Sequence, residues 1–165
     1  MDKHNKQSKK TGIGLAILGL VILAVLTVGG IVFSKVVTTK QYEGDIASFS
    51  FHSGSYWGYA EYDIENSDGR VTFRATGFNG NDMNVEKTIS GEYLDRISDI
   101  IKKYDVASWD GFDESDDGIL DGHGFTLKIK YTSGATLEAH GYMKYPRNYD
   151  EVDEELSEIF DELTD

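Results

Sequence analysis

The sequence predicts an α+β domain, an antiparallel sheet with two amphipathic helices in the order ββββ-α-ββ-α, carried behind one transmembrane helix. Three patterns predict it. Apolar residues alternate with polar ones in short runs bounded by turn residues. Two later stretches repeat apolar residues at helical spacing. Near the N-terminus lies an uncharged run of 22 residues, Gly12 to Phe33.

That run is long enough to span a bilayer core as a helix, which needs about 20 apolar residues. Lys3, Lys6, Lys9 and Lys10 precede it, so the positive-inside rule places the N-terminus in the cytoplasm. A cleaved signal peptide would have a shorter apolar core, with small residues following it. Here Gly29 and Gly30 lie inside the run. A retained, single-pass anchor is expected, with a basic tail over 1–11, a stalk over 34–44 and an extracytoplasmic domain over 45–165. The partner expected of Gly12 to Phe33 is the membrane itself.

The first expected strand is Ile46 to Phe51, with Phe49 and Phe51 on one face. Tyr56 to Glu65 and Arg70 to Phe78 follow, joined by the turn Asn66-Ser67-Asp68-Gly69. A four-residue loop there would pair Ile64 with Val71, Tyr62 with Phe73 and Ala60 with Ala75. It would also set Glu65 against Arg70 and Glu61 against Arg74. Met83 to Ile89 is the fourth strand. Ser90 is the expected N-cap of a helix running to about Tyr104, with Leu94, Ile97, Ile101 and Tyr104 as its stripe.

Phe125, Leu127, Ile129 and Tyr131 alternate with Thr126, Lys128 and Lys130. The loop Thr132-Ser133-Gly134 closes a second hairpin, pairing Ile129 with Leu137, Leu127 with Ala139, Lys128 with Glu138 and Thr126 with His140. Pro146 and Asn148 open the last helix, with Asn148 and Glu151 as a capping-box-like pair. Val152, Leu156, Ile159, Phe160 and Leu163 form its stripe.

Charge is unevenly spread. The net charge of −13 divides into +3 over 1–11, +2 over 12–40 and −18 from Gln41 onward. So acidic a domain repels nucleic acid and anionic headgroups. Cysteine is absent, which excludes disulfides, thiolate metal sites, cysteine nucleophiles and a lipid-bearing cysteine.

Trp109, Gly111 and Phe112 form W-x-G-F. Asp121, Gly122, Phe125, Leu127, Ile129 and Tyr131 form D-G-x-x-F-x-L-x-I-x-Y. Gly141, Tyr142, Lys144, Tyr145, Pro146, Asn148 and Tyr149 form G-Y-x-K-Y-P-x-N-Y. The combination resembles an exported domain of uncharacterised lipoproteins and membrane-anchored proteins of Gram-positive bacteria. The resemblance runs over about 48–163, with its distinctive part in the C-terminal half. It implies an exported domain of the layout above and brings no known activity.

Candidate sites are few. Asp113, Ser115, Asp117 and Asp121, with Gly118 at the turn, occupy ligand positions of an oxygen-rich calcium loop. The closing bidentate acid is missing, because Gly124 stands there, so the same residues also read as a solvated acidic loop. His123 and His140 are expected on opposite faces, which gives no histidine pair. There is no G-x-S-x-G elbow, no H-E-x-x-H and no phosphate-cradling glycine loop. Trp57, Tyr59 and Phe78 are expected on the face away from Tyr62 and Ile64, either as an exposed aromatic patch or covered by a loop or the N-terminal strand as a minor core.

The expected function is therefore a non-catalytic binding or accessory domain, with an envelope protein or a cell-wall ligand as partner. The alternatives are a structural envelope protein with weak calcium chemistry, and a small hydrolase with an unrecognised carboxylate site.

Overall fold

The computed structural model describes Tyr42 and residues 44–78, 82–116 and 118–165. The expected tail, the transmembrane helix Gly12 to Phe33 and all but the end of the stalk lie outside the described residues. No described helix is long and apolar enough to cross a membrane. Tyr42–Asp165 forms one compact unit.

Seven strands form one sheet: β1 (Ile46–Ser55), β2 (Gly58–Ser67), β3 (Arg70–Phe78), β4 (Asp82–Ile89), β5 (Asp113–Ser115), β6 (Gly124–Tyr131) and β7 (Thr136–Tyr142). Their order across the sheet is β4-β3-β2-β1-β6-β7-β5. Two helices, α1 (Glu92–Lys103) and α2 (Tyr149–Thr164), lie on one face, and a 3-10 turn (Val106–Trp109) follows α1. The architecture is α+β, as expected. The purely antiparallel sheet needs correction. β5 pairs with β7 in parallel, which makes the sheet mixed. An acidic segment read as a loop supplies this strand, because the free edge of β7 offers its backbone ladder partners.

The helix-covered face holds the core. Phe160 of α2 stacks on Tyr62 at 3.9 Å and lies near Phe49, Phe51 and Phe73. A second aromatic group joins Trp109, Phe112, Phe125, Tyr145 and Tyr149. All five apolar stripe positions of α2 are buried. On α1 the buried stripe is Leu94, Ile97, Ile100 and Ile101. The helices run antiparallel, joined by Arg96 to Glu162 and by Lys103 and Tyr104 to Glu155.

The β6–β7 register is the expected one, residue for residue. Tyr131 and Ala135 bracket its three-residue loop, and Gly134 takes φ +87° there. The β2–β3 register differs. Ile64 pairs with Phe73, Tyr62 with Ala75 and Asp63 with Arg74, closing a two-residue turn at Asp68-Gly69. Both turn residues have positive φ, 52° and 82°. Such a turn matches the right-handed twist of the strands, so it outcompetes the longer loop. The shift is two residues, one full pleat, so every side chain keeps its expected face. Arg74 consequently pairs with Glu86 of β4 instead of Glu61.

The expected capping pair also fails to form. Asn148 is left-handed, at φ 62°, and donates its side-chain amide to the Tyr104 carbonyl. It ties the start of α2 to the end of α1 and leaves the helix without a side-chain cap.

Candidate functional site

Strand polarity gives the sheet two distinct ends. The base holds Tyr42, the start of β1 and the turns at Asp68-Gly69 and Ser133-Gly134. The tip holds the β1–β2 turn, the end of β3, the 116–123 loop and the segment after β7.

The large hydrophobic side chains exposed among the described residues are Tyr56, Trp57, Tyr59, Phe78, Ile119, Leu120 and Tyr145. Every one of them sits at the tip. The base has none. Leu120 is 90% exposed, Tyr56 82% and Trp57 71%.

The patch expected at Trp57, Tyr59 and Phe78 is therefore brought to one place, with one correction. Tyr59 and Phe78 are direct cross-strand partners on the open face. Tyr56 and Trp57 do not lie in a strand. They are the two central residues of the β1–β2 turn, because Ser55 pairs with Gly58. The Trp57 amide donates to Ser55 Oγ, and neither Tyr56 nor Trp57 takes a positive φ. Ser at the first position and Gly at the fourth are what an ordinary type I turn favours. The turn is thus supplied by its flanks. The Tyr56 and Trp57 rings meet edge to face at 5.2 Å and point into solvent.

One cross-strand row on the open face reads Glu61, His52, Thr126, His140, Asp113. Thr126 Oγ1 lies 3.2 Å from His140 Nδ1, and the His52 ring stacks on Tyr59 at 5.8 Å. The sequence reading missed this histidine pair, since it depends on β1 pairing with β6. Above its central members, His52, Thr126 and His140, lies a groove of about 390 Å³, between Tyr56 on one side and Leu120 and Tyr142 on the other. Tyr142 holds the far wall. Its hydroxyl donates to the Ile119 carbonyl and accepts from the Gly122 amide. A second groove, of about 570 Å³, continues past His140 toward Asp113, Lys128 and Glu138.

On the covered side of the tip, Ser53 Oγ lies 3.2 Å from His123 Nε2. Asp153 of α2 is near enough to His123 to feel its charge. Burial raises the Asp153 carboxyl above its ordinary value, and His123 opposes that shift. The Tyr149 hydroxyl is buried there without a well-formed hydrogen bond, although Ser53 stands close enough to offset part of its burial. Burial raises the Tyr149 phenol, helped by Asp153. No sequence motif signals this group, because its members come from β1, a loop and α2.

The acidic loop looks unlike a calcium loop over its first part. Asp113 and Ser115 lie on extended β5, beside His140 and Tyr142. Gly118 donates its amide to Asp116 Oδ1. Asp121 is exposed, and Asp117 lies outside the described residues. Among the described residues, no group of three or more His, Asp or Glu could hold a metal ion.

No protein-family model and no curated protein matches the chain.

Proposed function

We propose that the chain is a single-pass membrane protein whose acidic extracytoplasmic domain binds an envelope protein or cell-wall ligand through its tip, without chemistry of its own. One observation carries this reading. The exposed large hydrophobics of the domain gather at one end, and two of them occupy a turn that does not need them. Clustered exposed aromatics are costly in water and mark contact surfaces. The anchor is supported by the uncharged run Gly12 to Phe33 and the lysines before it. The resemblance to exported Gram-positive domains points the same way.

Two experiments test it. The chain has no cysteine, so single introduced cysteines report topology cleanly. In intact cells a membrane-impermeant maleimide should label Ser67→Cys, and should label Ser8→Cys only after lysis. The reverse pattern would overturn the proposed orientation. For the tip, a photo-crosslinking phenylalanine at Tyr56 should give a defined adduct in cells, whereas one at Ser133, at the base, should not. Trp57→Ala with Tyr59→Ala should reduce that adduct about tenfold or more. Equal crosslinking at both ends, or none at the tip, would remove the binding reading.

The Ser53–His123 contact favours a second reading, a serine hydrolase with Asp153 as the orienting acid. Labelling of the full-length chain by a fluorophosphonate, lost in Ser53→Ala and kept in His140→Ala, would replace the first reading. The calcium alternative predicts a melting temperature raised by millimolar calcium and lowered by EDTA. An unchanged temperature would dismiss it.

A further inference from the structure

We propose that the groove between Tyr56 and Leu120 binds an uncharged saccharide. This rests on the tip-binding reading and names a ligand class for part of that surface.

The argument starts from charge. The chain from Gln41 onward carries −18, yet among the described residues no Asp, Glu, Lys or Arg side chain lines this groove. A phosphate or carboxylate ligand would find no Lys or Arg to pair with in the described lining, and a cationic ligand would find no carboxylate there. The floor excludes a β-strand ligand. It is formed by β1, β6 and β7, whose ladders are already paired on both sides. A ligand there meets side chains alone. A purely apolar ligand fits poorly as well, because Thr126, His52 and His140 place hydrogen-bonding atoms across the floor.

What suits such a site is a ring with an apolar face and a polar rim. A sugar ring presents C–H groups on its face and hydroxyls around its edge. The C–H face suits the electron-rich face of Tyr56. The hydroxyls can exchange hydrogen bonds with Thr126 Oγ1 and with the imidazoles, where a neutral ring donates from one nitrogen and accepts at the other. The volume, about 390 Å³, lies at the lower end of small-molecule sites, which run from ~300 to ~1,000 Å³. The site is largely preformed. Tyr142 pins the Leu120 loop through two hydrogen bonds, and the Tyr59 ring stacks on His52.

The test uses the full-length chain in detergent micelles and isothermal titration with three trisaccharides: chitotriose (uncharged), its deacetylated cationic form, and anionic trigalacturonate. Chitotriose should bind, and the two charged probes should bind at least about tenfold more weakly. Tyr56→Ala and His140→Ala should each weaken chitotriose about tenfold, while Ser133→Ala, at the base, should leave it unchanged. Absence of chitotriose binding at about 10 mM, equal binding of a charged probe, or binding that survives both substitutions would overturn the inference. If chitotriose fails while the Tyr56 crosslink persists, the saccharide inference alone falls. If the crosslink fails as well, the tip-binding reading falls with it.

Discussion

Two turns in this sheet do the same job with opposite residues. At the base, Asp68-Gly69 joins β2 to β3, and both residues take positive φ. The backbone demands small residues of that kind there. At the tip, Tyr56-Trp57 joins β1 to β2 with the same two-residue spacing, and neither residue has a positive φ. Ser55 and Gly58 supply what that turn requires, so its centre is free to carry any side chain. It carries two exposed aromatics. Where the backbone dictates a residue, that residue says nothing about function. Where it leaves the choice open and the choice is costly in water, a contact surface is the physical explanation.

The comparison can be sharpened by stability measurements on the full-length chain. The covered face sets the scale. Phe160→Ala removes a ring packed on Tyr62 and should cost about 3–5 kcal/mol in denaturant unfolding. Gly141→Ala should cost about 1–3 kcal/mol, since a Cβ there would meet the Phe125 ring and the Lys144 carbonyl. Gly69→Ala, at the base turn, should cost about 1 kcal/mol through its positive φ. Trp57→Ala should change stability by less than about 0.5 kcal/mol. If Trp57→Ala cost as much as Gly69→Ala, the tip aromatics would be structural and the contrast would break.

A further effect is in pH. Burial raises the Asp153 carboxyl, with His123 opposing. The folded state therefore holds that proton to a higher pH than the unfolded chain. The stability from this group is fully present below the ordinary value, about 3.9, and is lost as pH rises through the raised one. Asp153→Asn should flatten that part of the melting-temperature profile. An unchanged profile would mean that His123 balances the burial.

The resemblance pattern divides in an instructive way. Trp109, Phe125 and Tyr149 are buried together, and Trp109 Nε1 donates to the Arg147 carbonyl. Tyr142 pins a loop, and Asn148 links the two helices. These residues support the fold, and Tyr142 also walls the groove. Trp57, Tyr59 and Leu120 stand outside the pattern at the exposed tip, where the pattern's own Tyr145 is also exposed.

Alternation and helical stripes were enough to identify six strands, two helices and the face that the strand-interior side chains take, because those depend only on local period. The β6–β7 register was legible as well, since a glycine loop and apolar pairing agree. In β2–β3 the turn overruled the charge pairing, and the error stayed within one pleat. The short β5 could not be read from its acidic sequence, as its order comes from the edge of β7. Nor could the place of His52 beside the Thr126–His140 pair, or the Ser53–His123 contact. Each joins residues some seventy positions apart, and only the pairing of β1 with β6 and the seating of α2 bring them together. Period and turn chemistry act over a few residues and are written in the chain. Adjacency between distant strands is set by how the whole sheet closes over its core, and the tip's groove exists only after it does.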